Sequence, residues 1–134
     1  MSNKFVSKVN ILLLSNLNFE GIGTSTESPN IADDIAYNKA TNNVMNYIAT
    51  HGRLVKFFSA HVTVNISDEY TNNGVSSIIC ESATGTATSD GSDNLGMIQN
   101  AYDSAKSAAN DRIEHSIGML YHANFHSQAS RPQE

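Results

Sequence analysis

One segment type occurs twice in this chain: an extended stretch ending in small and hydroxyl-bearing residues, then a polar turn, then a long helix rich in alanine and asparagine. The first copy reads Phe19, Glu20, Gly21, Ile22, Gly23, Thr24, Ser25 and enters a helix spanning about residues 31–48. The second reads Ala83, Thr84, Gly85, Thr86, Ala87, Thr88 and enters a helix over residues 98–120. A strand with one apolar face must bury it against another layer, and here each copy supplies a helix to do so. The pattern therefore predicts an α+β domain.

From Val9 to Phe19 the odd positions are Val9, Ile11, Leu13, Ser15, Leu17 and Phe19, while the even ones turn polar after Leu14, which predicts one strand. Gly21 and Gly23 are read as a bend. Ser28 followed by Pro29 marks a helix start, because a serine hydroxyl accepts a backbone hydrogen bond at the cap and proline suits the first turn. Ile31, Ile35, Ala40, Val44, Tyr47 and Ile48 recur at helical spacing, and Gly52 provides a stop. Phe58, Ala60, Val62, Val64 and Ile66 then alternate with polar residues as a second strand. Asn73 and Gly74 form the strongest short hairpin signal, returning residues 75–88 as a third strand. The second helix runs from Ser92 to about Asn124. The expected topology is β-α-β-β-α, a three-stranded antiparallel sheet in order 1-3-2 with both helices on one face. Residues 1–124 are expected to form a single domain and residues 125–134 a flexible tail.

At 134 residues the chain suffices for one ordinary core. Its net charge of −5 and scattered basic residues argue against a nucleic-acid partner, which clustered lysine and arginine would attract. Cys80 is the sole cysteine, so no intrachain disulfide forms, and its neighbours Ile78 and Ile79 predict burial. The apolar run Ile11–Leu14 is shorter than a secretion signal requires, and no stretch approaches the roughly 20 apolar residues of a membrane span. A soluble, cytoplasmic protein is expected.

His115, His122 and His126 lie near one helix face and are the metal-site candidates, with an exposed or interfacial histidine face as the bland reading. Asp33, Asp34 and Asp93 sit at helix starts, where carboxylates stabilise the macrodipole, and Asp68 and Glu69 are expected to be solvated. Glycines 21, 23 and 85 precede helices and could cradle an anion, yet no phosphate-binding pattern accompanies them. No residue stands out as catalytic, so no enzyme activity, metal or cofactor is assigned. Ala101, Ala105, Ala108 and Ala109, with Leu120, form a narrow stripe that either packs on the chain's own sheet or serves as an oligomer seam. Long sheet edges without proline or inward charge favour assembly.

Leu95, Gly96, Met97, Ile98, Gln99, Asn100 and Ala101, with Gly118, Met119, Leu120 and Tyr121, make the last third of the chain similar to the R-body (Reb, or killing-trait) structural proteins, which polymerise into ribbons. Gly23, Thr24, Ser25, Ser28, Asn38 and Ala40, with the hairpin after Gly52, make the first two thirds resemble the dodecins, hollow oligomers that bind flavin. The chain has no tryptophan and no aromatic that can be placed at the dodecin flavin position, so that cofactor does not carry over. Both resemblances imply a homo-oligomer. The expected function is a non-enzymatic structural subunit that self-associates into a larger oligomer or filament; the alternative is a dodecin-like module holding a flavin-type small molecule between protomers.

Overall fold

The computed structural model describes residues 2–13, 17–51, 56–72 and 74–130, with side chains at the C-terminal end up to Met119. Its elements are β1 Ser2–Leu13, β2 Leu17–Ser25, α1 Pro29–His51, β3 Ser59–Asn72, β4 Val75–Thr88 and α2 Asn94–Ser130. The strands form one four-stranded sheet in the order β2-β1-β3-β4, and every neighbouring pair is antiparallel. The expected three-stranded sheet in order 1-3-2 is therefore wrong. The stretch expected as one strand divides into β1 and β2, which pair up to Leu13 opposite Leu17. The strand expected at the centre, residues 75–88, is an outer strand, and its hairpin partner β3 is inside.

The two halves, β1-β2-α1 and β3-β4-α2, repeat one another. Val9 of β1 pairs with Gly21 of β2, and Val62 of β3 pairs with Gly85 of β4. At the centre Val9 faces Val64 while Ile11 faces Val62, so exchanging the halves maps one pair onto the other. The helices obey the same exchange. Ala36 and Ala40 lie over Gly21 as Ala101 and Ala105 lie over Gly85. Tyr37 and Tyr102, each the next residue after its alanine, stack on one another with ring centroids 3.9 Å apart and planes 9° from parallel. An approximate two-fold axis thus passes between β1 and β3 and through the tyrosine pair.

Close approach explains the glycines. A Cβ at Gly21 would overlap the Ala36 carbonyl oxygen, one at Gly23 the Ala32 carbonyl oxygen, and one at Gly85 the Ala101 carbonyl oxygen. Gly21 and Gly23 are accordingly mid-strand residues that admit helix backbone, not a bend. Small residues are needed on both surfaces, so the buried stripe of α1 is Ala32, Ala36, Ala40 and Val44. Ile31 and Ile35, expected in the core, remain 39% and 37% exposed. Val9, Ile11, Leu13, Ala60, Val62, Val64 and Ile66 fill the sheet's inner face, each without appreciable exposure. Fully burying one of the larger of these side chains contributes about 1.5–3 kcal/mol.

The helix starts are local. Ser28 Oγ accepts from the Ile31 amide at 3.1 Å, as its sequence position predicts, and Asp93 Oδ1 accepts from the Gly96 amide at 2.8 Å in the second half. Gly74 adopts a positive φ of 80°, the conformation the tight β3–β4 turn demands and glycine tolerates. α2 continues past the expected tail boundary at Phe125 to Ser130, and residues 131–134 lie outside the described residues.

Candidate functional site

Two places concentrate polar groups or unsatisfied surface: a cluster between the helices, closed to solvent at Asp33 and Ser7 and open at Asp34, and the uncovered side and edges of the sheet.

The cluster is built around Asp33, which is fully buried on α1. Ser7 of β1 donates its hydroxyl to Asp33 Oδ1 at 2.5 Å, and Asn110 of α2 donates from Nδ2 to Oδ2 at 2.7 Å. Asn110 also donates to the Lys106 carbonyl at 2.8 Å. Beside it, Asp34 accepts from the Tyr102 hydroxyl and from Lys106 Nζ, each at 2.8 Å. From sequence Asp33 is a helix-start carboxylate; its partners, 26 and 77 residues away, carry no local signal. Burial raises its pKa, and the Ser7 and Asn110 hydrogen bonds offset part of that rise. Burial likewise pushes Tyr37 up to about 12, and Tyr102 is raised by burial and by its bond to Asp34. Asp33 and Ser7 are both closed to solvent, so the pair ties β1 to α1, with Asn110 adding α2, and presents no surface to a substrate. Asp68, expected to be solvated, is instead 1% exposed and accepts from Asn3 at 3.3 Å, and burial raises its pKa.

Both helices lie on one face of the sheet, and the even positions of β1, β2 and β4 and the odd positions of β3 face away from them. That outer face mixes threonine, serine and asparagine with Val6, Leu12, Ile22 and Ile78. It carries a Thr63–Thr84 hydroxyl bond of 2.9 Å and a Lys8–Glu20 ion pair of 3.5 Å. Cys80, expected in the core, is exposed there because it follows Ile78 in the outward alternation. A shallow depression of about 660 Å³ is lined by Val6, Lys8, Asn65, Ser67, Cys80 and Ser82 among others.

The sheet edges are β2 and β4. On β2, Asn43 of α1 donates to the Glu20 carbonyl at 3.0 Å. On β4, Arg112 of α2 donates to the Ser82 carbonyl. Val75 and Ile78 on β4 are 66% and 62% exposed, and Ile22 on β2 is 52% exposed.

The alanine stripe is occupied within the chain. Ala101, Ala105 and Ala109 are fully buried, and Ala108 is partly buried, in the core of the chain itself. Close packing of Ala101 and Ala105 on Gly85 of β4 is the physical reason. The side chain of Leu120 lies outside the described residues, as do those of His122 and His126; His115 is exposed on α2. Among the described residues no cluster of three histidine, cysteine or acidic side chains could hold a metal. No described helix is long and apolar enough to cross a membrane.

Compared with protein-family models, curated proteins and solved structures, the chain matches none.

Proposed function

We propose that this chain is a non-enzymatic structural subunit that self-associates into a larger homo-oligomer or filament. The observation that carries this reading is the pair of open outer strands, β2 and β4, on a sheet that helices cover on one face only. Rows of unpaired backbone groups on long edge strands favour pairing with another chain unless charge, proline or a covering element blocks it. Here the edges hold neither proline nor lysine, and Glu20 and Glu81 are their charged residues. Low overall charge density, 16% of residues, supports the same reading because little charge must be desolvated on contact. The polar cluster around Asp33 fits a rigid building block, since its hydrogen bonds are spent on holding the two helices in place. Native mass spectrometry of the full chain tests the reading: multiples of the 14.5 kDa subunit are expected, and a solitary subunit at every concentration contradicts it.

A further inference from the structure

The two edges are not equivalent as docking strands. β2, residues Leu17–Ser25, is the shorter, contains Gly21 and Gly23, bears Glu20 at its middle and has that residue's carbonyl capped by Asn43. Glycine weakens a strand for lack of a side chain to pack, and pairing β2 with itself would set Glu20 near its own copy. β4 spans Val75–Thr88, and among the described residues Arg112 caps it at Ser82. The segment on the N-terminal side of that cap, Val75–Cys80, has no charge, no proline and no glycine, and three of its residues are valine or isoleucine. Uncharged, β-branched segments of about six residues are the ones most able to pair with identical copies.

Backbone direction locates the free groups. In an antiparallel strand both polar groups of a residue point to the same side and alternate along the chain. Arg112 meets the Ser82 carbonyl from the outer side, so Ser76, Ile78 and Cys80, spaced by two from it, also direct their amides and carbonyls outward. Among the described residues no side chain bonds to these groups. The same residues place their side chains on the outer face of the sheet, where Ile78 is 62% exposed. The net charge of −5 makes copies repel except where they meet through an uncharged surface, and Val75–Cys80 is such a surface.

We infer that the partner of this edge is a second copy of the chain, joined β4 to β4 antiparallel about a two-fold axis through the Val75–Cys80 segment, making one continuous eight-stranded sheet from two subunits. This rests on the self-association proposed above and names the surface that performs it. A closed two-fold joint at β4 leaves β2 of each copy as the outer edge of the dimer.

The test compares the natural full chain with Ile78→Lys and Ile22→Lys, exposed substitutions on the two edges, by sedimentation velocity, with circular dichroism to check folding. The natural chain and Ile22→Lys are expected to share the same dimer, and Ile78→Lys to dissociate at least about tenfold more readily, since like charges meet across the joint. Hydrogen exchange on the natural chain supplies a second readout needing no variant. The amides of Ser76, Ile78 and Cys80 should be protected at high concentration and should lose that protection on dilution. Loss of assembly in Ile22→Lys alone, or in both variants, overturns the β4 joint in favour of β2 or of a β2-to-β4 chain; unchanged assembly in both, with no concentration-dependent protection on β4, overturns it in favour of another surface. In each of these cases self-association itself survives. A natural chain that sediments only as a monomer contradicts the functional proposal as well.

Discussion

At the scale of single residues, the glycines separate two physical roles. Gly85 admits the α2 backbone, and an added methyl would collide with the Ala101 carbonyl and close on the Ala105 amide at 2.8 Å. Gly85→Ala should therefore lower stability by about 1–3 kcal/mol, as overpacking does in other close-packed interiors. Gly118, on α2, meets nothing within 4 Å of an added Cβ. Gly118→Ala should raise stability by about 0.5–1 kcal/mol, because alanine costs less backbone entropy in a helix. Urea unfolding of both variants checks the opposite signs, and equal signs would remove the close-approach explanation. Asp33 gives a second residue-scale prediction. Its folded-state pKa is raised above the ordinary 3.8, chiefly by burial, so the folded chain holds this proton more tightly than the unfolded chain. Stability contributed at this site therefore rises as pH falls through the raised value and levels off below 3.8. The difference in unfolding free energy between the natural protein and Asp33→Asn, which cannot titrate, should grow in favour of the natural protein as the pH is lowered towards 3.8. A flat or reversed difference would contradict the burial argument. Asp33→Ala should cost about 1–3 kcal/mol near neutral pH, because the Ser7 hydroxyl and the Asn110 amide lose their acceptor, and the cost should grow as the pH falls, since alanine does not titrate either.

Among elements, the stacked tyrosines mark where α1 meets α2. Both phenols have raised pKa values, Tyr37 to about 12, so the folded state prefers them neutral. Stability should be lost as pH rises above the ordinary value of 10.0 and the unfolded chain gains phenolate that the folded one resists. Ultraviolet titration of phenolate should show a lagging fraction that appears together with loss of helical circular dichroism, and Tyr102→Phe should reduce it. A titration complete before any helical change would show the helix contact to be looser than described. The β3–β4 hairpin and the start of α1 were legible because Asn73-Gly74 and Ser28-Pro29 act locally. The β1–β2 turn was not, for a reason of parity. Leu13 and Leu17 are paired across it and both occupy odd positions, so the apolar residues of β1 and β2 stay in one odd-numbered series, and the sequence between them has no glycine or proline to mark the reversal. The largest apolar residues of α1 point to a face through Ile31 and Ile35, yet packing against glycine strands selects alanine, and the buried stripe runs through Ala32 and Ala36. Asp33, Ser7 and Asn110 could not be grouped before β1 was known to lie beneath α1 and α1 to meet α2.

For the whole molecule, the repeated ββα unit forms a pseudo-two-fold body whose two hairpins meet at β1 and β3 and whose second strands both end at an edge. Internal pairing has thus been satisfied at the centre and left open at the periphery. That is the arrangement from which extended assemblies grow, and the doubled unit, recognised in the sequence only as a repeated strand-to-helix passage, is what makes both edges outer strands. The functional proposal stands or falls on whether copies join. Sedimentation velocity of the full chain over a concentration series decides this: species heavier than 14.5 kDa should dominate, in a share that rises with concentration, and a single 14.5 kDa boundary across the whole series would refute self-association.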